Sequence, residues 1–244
     1  MKNAIAWGVL VVIGAGFCFF FFVLLRYDYE WDRIGPYWGN LANGWGMTVL
    51  VSAGALLLSI LGAAALTTAQ LSGIAPARWA ARGYVEVVRG TPLLVQILIG
   101  YYMFAPALGL SSRFWIGIAL LAGFAAAYLA EIFRGGIESV PRSQVESARA
   151  VGFTEAQAYR HVILPQAVRR VLPSVAGQFA NLIKDSSLLY VIGLAEFTAQ
   201  ARQTNSNTYS DFAAYIPLAL GYLALTLPMS AWSRALEKKF RYDS

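Results

Sequence analysis

The sequence predicts an all-α membrane protein, a polytopic bundle of six spanning helices with a polar helical hairpin on one side. Three observations carry the prediction. Hydrophobic residues make up 58% of the 244 positions and charged ones only 13%, and the mean hydropathy is +0.54. A soluble domain carries about a quarter charged residues, so much of this surface must face lipid. Apolar runs of spanning length recur along the chain. The Lys and Arg residues are segregated into alternate connecting segments, as orientation signals are.

One membrane domain accounts for this length. The net charge of +6 is spread over loops rather than gathered on one soluble patch, so no nucleic-acid partner is implied. The single cysteine, Cys18, lies inside an apolar run and excludes an intramolecular disulfide. The single histidine, His161, builds neither a metal site nor a His-dependent triad by itself and reads as a solvated or interface residue. Nothing in the composition points to an enzyme.

The first span is expected over residues 4–25, preceded by Lys2 and followed by Arg26. A retained helix is favoured over a signal peptide, because the apolar core is long and no small-x-small cleavage site follows Phe19–Phe22. A short link, RYDYEWDRIGPYWGN, places Tyr and Trp at headgroup level. The second span covers 44–69. Ser52, Ala55, Ser59 and Gly62 recur at helical spacing there and make a small-residue stripe for close packing.

Residues 76–89 read as an amphipathic helix along the membrane surface, with Arg78, Arg82, Glu86 and Arg89 on one face. A solvated charged face explains the same pattern. Thr91-Pro92 is expected to cap and open the third span, which runs to about 108, with Tyr101 and Tyr102 as interfacial belt residues. The fourth span covers 114–130. The fifth is expected over 174–191 and the sixth over 212–232, kinked at Pro217 and Pro228. Residues 194–211 are expected to be a loop, and the chain ends in a basic tail over 234–241.

Between the fourth and fifth spans lies the most informative stretch, residues 140–173. Pro141 suits a helix first turn. Val145, Ala148 and Val151 then make an apolar stripe, and Gly152 supplies a left-handed stop. Thr154 and Gln157 have capping-box spacing and open a second helix. Ala156, Tyr159 and Ile163 form its apolar face, and Pro165 is expected to end it. Two short amphipathic helices joined at a glycine are suited to being gripped by a partner.

The fifth span carries the polar constellation. Ser174, Gln178, Asn181 and Asp185 stand at i, i+4, i+7 and i+11, one stripe along a helix. Charge near the bilayer centre costs about 2.5–3.5 kcal/mol by insertion scales, so Lys184 and Asp185 should face protein or water. Neighbours on a regular helix point about 100° apart. Each therefore has another partner, or the helix is interrupted at Asp185-Ser186-Ser187, freeing backbone groups to hold a zwitterion. The stripe, with Ser187, reads either as the lining of a solute path or as polar glue between two subunits. Glu131 and Arg134 are spaced to pair at the rim of the fourth span. Tyr128, one turn earlier, is a path-lining or a belt residue.

ESARAVG (146–152), followed after a short interval by ILPQA (163–167), resembles the EAA loop of ABC importer permeases. Glu146, Ala148, Gly152, Leu164 and Pro165 stand as that loop requires, with Phe153 beside the glycine, and Ser147 replaces the first Ala of the loop's name. RGTPLLVQ (89–96), YLAEIFRGGIESVP (128–141) and IKDSSLLYVIG (183–193) are similar to the polar amino-acid branch, the histidine/arginine/glutamine/glutamate type.

The resemblance implies a five-helix type I permease core over 44–241, with 1–43 as an added N-terminal helix and outer link. It implies that 140–173 dock on an ATP-binding subunit, two of which serve each complex, and that ATP and Mg are bound there. It also implies a second permease subunit, identical or homologous, and an extracytoplasmic binding protein that delivers the amino acid. No G-x-x-x-x-G-K-[ST] phosphate loop occurs in the chain, and no cofactor is expected in it. A permease of the same fold for another small solute (methionine, an opine, phosphate) is the nearer alternative. An ATP-independent channel or a membrane scaffold is the more distant one.

With the hairpin placed in the cytoplasm, fourteen Lys and Arg fall on the cytoplasmic side and four (Arg26, Arg33, Arg113, Arg202) outside, with Lys184 inside a span. This bias predicts a bacterial inner-membrane protein with both termini cytoplasmic.

Overall fold

A computed structural model describes Gly8, residues 11–20 and residues 31–240. Its helices in chain order are α1 (Val11–Phe20), α2 (Trp38–Leu71), α3 (Ala75–Gly90), α4 (Leu93–Ile99), α5 (Ala105–Ala107), α6 (Arg113–Glu138), α7 (Arg142–Ala150), α8 (Glu155–Ala158), α9 (Leu164–Asp185), α10 (Phe197–Thr208) and α11 (Asp211–Phe240). The ends of the expected first span, with Lys2, Arg26 and Arg241, lie outside the described residues.

Among the described residues, α2, α6 and α11 are long and apolar enough to cross a membrane, and the bent pair of α3 with the segment 93–107 adds a fourth. The six expected spans are thus not all met by length and apolarity. The described part of α1 is too short, and α9 owes its lower apolarity to one polar face.

The core is the contact of α2 with α6, joined by α9 and the turn after it. Val51 and Ala55 of α2 meet Leu121, Ala122 and Ala125 of α6 and Leu182 and Leu189 beyond. The small-residue stripe of α2 faces this contact: Ser52, Ala55 and Ser59 are fully buried. Small side chains let two backbones approach and gain dispersion contacts that lipid cannot replace. The α3 helix lies over the same pair, with Val85 and Val88 against Ala63, Ala127 and Ala130. Its charged face, Arg82, Glu86 and Arg89, is exposed.

Several local expectations are corrected. Thr91 does not cap the next helix: its hydroxyl donates back to the Val87 carbonyl at 2.9 Å. The 109° bend between α3 and α4 is held by Gln96, whose Nε2 donates to the Val88 carbonyl (2.8 Å) and to Thr91 Oγ1 (2.8 Å). Tyr101 and Tyr102 are not simply belt rings. Arg113 Nε donates to the Tyr101 hydroxyl, and the Tyr102 hydroxyl donates to the Val191 carbonyl. The fourth span continues to Glu138, and the sixth to Phe240, making the basic tail helical as far as that residue. At the far end of α9, α-helix gives way at Ser186 to a 3₁₀ segment, Ser186–Ile192. The interruption falls where the Lys184–Asp185 argument allowed it.

The expected loop over 194–211 contains α10. Its N-terminus is capped by Glu196, whose carboxylate accepts from the backbone N–H of Thr198 (2.8 Å) and Ala199 (2.7 Å) and from the Tyr222 hydroxyl (3.1 Å). The cap is wedged between α2 and α11. Phe197 N–H donates to Thr48 Oγ1, and a Cβ on Gly221 would sit 2.3 Å from the Phe197 ring, so only glycine admits that ring.

Glu196 is fully buried, and burial pushes its carboxyl up to about 7, although the Thr198 and Ala199 amides and Tyr222 pull it down. A raised carboxyl stabilises the fold when protonated. Its contribution is complete below the ordinary value near 4.5 and is lost as pH rises through 7. The loss is of the order of 3 kcal/mol at about 1.36 kcal/mol per unit. Wild-type thermal stability in detergent is therefore expected to fall between pH 5 and 8, and Glu196→Gln is expected to flatten that dependence. Parallel pH profiles for the two proteins would refute the assignment.

Candidate coupling hairpin and membrane groove

The hairpin is built by local signals and tied to the bundle by long side chains. Gly152 ends α7 with φ +92°. Its N–H donates to the Arg149 carbonyl (2.9 Å), and the Phe153 N–H donates to the Ala148 carbonyl (3.0 Å). This is the paired pattern of a Schellman stop, with Phe153 and Ala148 as its apolar contact positions. Thr154 then opens α8 with a reciprocal box. The Thr154 N–H donates to Gln157 Oε1 (2.8 Å) and the Gln157 N–H to Thr154 Oγ1 (3.3 Å). Arg149 and Glu155 join the two arms at 2.7 Å, and the carboxylate holds the guanidinium above its usual range.

The second arm differs from expectation. Pro165 does not end it. A π turn, Tyr159–Ile163, leads directly into α9, with Pro165 in the first turn. The wider turn sits at the carbonyls a proline ring would crowd, so the helical path continues. Motion of the hairpin is thereby connected to α9 without a loop between them. Gln166 donates to Gln144 of α7, and Arg170 donates to the carbonyl and hydroxyl of Ser139 at the end of α6.

Of the predicted docking residues, Ala148 is buried, whereas Glu146, Leu164 and Pro165 are exposed and Phe153 is 38% exposed beside His161. Val151 departs from the expected stripe, being 75% exposed. Phe153 and Ala148 line a concave face of about 430 Å³ with Ser147 and Val151, whereas Glu146, Leu164 and Pro165 lie outside its lining.

The α9 helix has two unlike faces. One is apolar: Leu164, Val168, Val171 and Val175. The other, with α11, lines a groove of about 420 Å³. Gln178, Asn181 and Lys184 are brought together on its wall with Ser174, opposite Ser230, Ser233 and Arg234. The Ser233 hydroxyl donates to the Pro173 carbonyl at 2.8 Å and fixes the near end. Gln178 is buried, while Ser174, Asn181 and Lys184 are exposed. Asp185 and Ser187 are half-buried past the groove's end, and neither they nor Tyr128 line it.

Tyr128 belongs to a separate cluster at the end of α6, with its ring on Phe124 and Arg89 over it at 5.4 Å. Glu131 is paired with Arg134 as expected (2.7 Å), and Arg134 reaches Glu138 as well. Gln70 of α2 (3.3 Å) and Arg89 of α3 (3.6 Å) converge on the same carboxylate. Sequence reasoning missed the contributions of Gln70 and Arg89, and of Ser230, Ser233 and Arg234. The last three stand at i, i+3 and i+4 on α11, a spacing that could have shown them as one face.

The bundle, its half-polar helix and the hairpin leading into that helix define a polytopic membrane protein with a helical hairpin on one side. The chain belongs to the family of binding-protein-dependent transport system inner membrane components, whose model matches residues 63–242. It is 39% identical over 198 residues to a probable glutamine ABC transporter permease protein, GlnM, of Bacillus subtilis (strain 168), covering 81% of this chain and 91% of that one. It is 32% identical to the glutamate/aspartate import permease protein GltK of Escherichia coli O157:H7, covering 87% and 99%. A solved amino acid ABC transporter, crystallised with histidines, superposes with a TM-score of 0.81 at 35% identity over 87% of this chain and all of that one. An inward-facing methionine transporter, 18% identical with a TM-score of 0.69 over 85% and 99%, shares the fold. Membership places the chain in a bacterial inner membrane as a transport component rather than an enzyme.

Proposed function

We propose that this chain is the membrane-spanning permease subunit of an ABC importer for a polar amino acid. The observation that carries the proposal is the division of α9 into an apolar face and a polar, exposed face at membrane depth. Lipid cannot cover Asn181 and Lys184 at low cost. A second permease subunit facing this groove covers them and encloses a path. The path runs along α9 from Ser174 to Lys184, roughly 15 Å at 1.5 Å per residue. Arg234 lies toward its cytoplasmic end and Lys184 at the other, so a carboxylate moving along it meets a cation at each end. Asn181 and Gln178 supply donors and acceptors between them. The relatives named for glutamine and for glutamate/aspartate support a polar amino acid as cargo.

Both termini are cytoplasmic in this reading, because the Lys and Arg bias demands it, and α9 crosses the membrane with its polar face shielded by the second subunit. Two ATP-binding subunits, holding ATP and Mg, grip the two hairpins through Glu146, Ala148, Gly152, Phe153, Leu164 and Pro165. Their closure draws the hairpins together. Because each hairpin runs without a break into α9, the movement reaches the groove and shifts the population between inward-open and outward-open packings. The loaded binding protein contributes by favouring one packing over the other.

The test is reconstitution with the ATP-binding subunits in vesicles, with the binding protein and a labelled amino acid supplied on the outer face. Uptake should require ATP on the hairpin side. Uptake equal with and without ATP would refute the proposal and leave a channel.

A further inference from the structure

We infer that the apolar face of α9 holds a second site, which seats an acyl chain of an anionic phospholipid from the cytoplasmic leaflet against the base of the hairpin. The pocket is about 310 Å³ and lies between Ile60 and Ala64 of α2, Phe133 of α6, Val168 and Val171 of α9, and Tyr159 of the hairpin. It is about twice the size of an apolar cavity of ~150 Å³ that stays dry and takes up benzene.

Three hydroxyls line it, those of Thr67, Thr68 and Tyr159, and the first two spend their protons on backbone carbonyls. Thr67 Oγ1 donates to the Ala130 carbonyl (3.1 Å) and Thr68 Oγ1 to the Ala64 carbonyl (2.8 Å). A water needs two to four polar partners, and the other ten lining residues are apolar, so the lining suits an apolar occupant. The pocket lies toward the cytoplasmic ends of α2, α6 and α9, and on the face of α9 away from the polar groove. The surface that calls for a second permease subunit is therefore a different one, and the medium bordering this one is the bilayer. Its lining is open at Tyr159 and Val168, which are 41% and 44% exposed. The next residue in the π turn, Arg160, is exposed and is the cation nearest in sequence to this lining, able to complement a lipid phosphate at headgroup level.

The occupant touches the lever itself, since Tyr159 and Leu164 belong to the continuous path from hairpin to α9. A chain filling the pocket props the hairpin's second arm against α2 and α6. The inference rests on membrane placement alone and not on what is transported, so failure of the uptake experiment above leaves it standing.

The test uses the assembled importer in nanodiscs containing phosphatidylglycerol with a photoactivatable group in its acyl chain. Label is expected on peptides covering residues 60–68 and 164–175. It is expected to fall several-fold in Ala64→Trp, which fills the pocket from α2. Val168→Trp, entering from a position already exposed, gives the same readout should the first variant assemble poorly. Arg160→Gln should reduce the preference over a phosphatidylcholine probe. Label confined to the outward face of α2 at Leu57 and Leu61 would overturn the inference, as would label unchanged by both fillings. Disulfide formation between Ala64→Cys of one copy and Val168→Cys of another would also overturn it, by showing that a second subunit covers the pocket. Equal labelling by the two lipids, undisturbed by Arg160→Gln, would remove the anionic headgroup from it.

Discussion

A Gly152→Val subunit is expected to reach the membrane in normal amount, assemble with its partners weakly or out of register, and transport at least about tenfold less. The turn at Gly152 has φ +92°, and a Cβ there would meet nothing within 4 Å, so the substitution is opposed by backbone conformation and not by crowding. Left-handed backbone costs an L-residue roughly 1–2 kcal/mol and a β-branched one more. About 1.4 kcal/mol is a factor of ten in an equilibrium. The hairpin relieves the strain by opening the turn, which breaks the Phe153-to-Ala148 bond and re-aims α8 relative to α7. The bundle is expected to be untouched, because a side chain at 152 points into open space. Gly152→Asn, which tolerates the left-handed region, is expected to recover most of the activity. Uptake assayed beside subunit content and ATPase coupling separates the cases. Wild-type uptake in Gly152→Val would count heavily against the lever.

The second large effect is expected on the polar face of α9. Asn181→Ala removes an exposed amide from the middle of the groove wall, and Lys184→Met removes its far cation. A hydrogen bond to a charged group contributes about 1.5–3 kcal/mol. Each variant should therefore lower uptake about ten- to hundredfold, with the complex still assembled on its ATP-binding subunits. The opposite pattern, loss of assembly with normal uptake per surviving complex, would show that these groups hold two subunits together and do not handle cargo. Neutral substitutions at Leu57 or Leu61, exposed on α2, should leave uptake nearly unchanged and serve as controls.

The hairpin was largely legible from sequence because its determinants are local. A glycine at the stop and a Thr-x-x-Gln box act within four residues, and both form as their spacing requires. The polar stripe of α9 was legible by periodicity, and the break after Asp185 was one of two arrangements that the adjacent opposite charges left open, the other being a separate partner for each on an unbroken helix.

What escaped was set by distance in the chain. The helix α10 has a polar sequence that reads as loop. It is held by a glycine cleft on α11 and Thr48 on α2, which leave no local pattern, and by a buried Glu196 cap, which is local but not among the favoured N-cap residues. Pro165 misled because a proline stops a helix unless a wider turn precedes it, and the π turn at Tyr159–Ile163 is a tertiary outcome. Glu131 was visible with its i+3 partner, but Gln70, 61 residues earlier, was not. The other wall of the groove escaped because Ser230, Ser233 and Arg234 resemble an ordinary basic helix end.

The most direct measurement concerns the lever itself. Arg142 is exposed at the start of α7, so a spin label at Arg142→Cys reports the hairpin's position. In an importer assembled from two copies of this chain, the distance between the two labels should shorten when ATP closes the nucleotide-binding subunits and lengthen again after hydrolysis. The same shift should be absent in Gly152→Val. A distance that stays fixed while those subunits close would contradict the central claim that nucleotide-driven movement enters the membrane bundle through this hairpin.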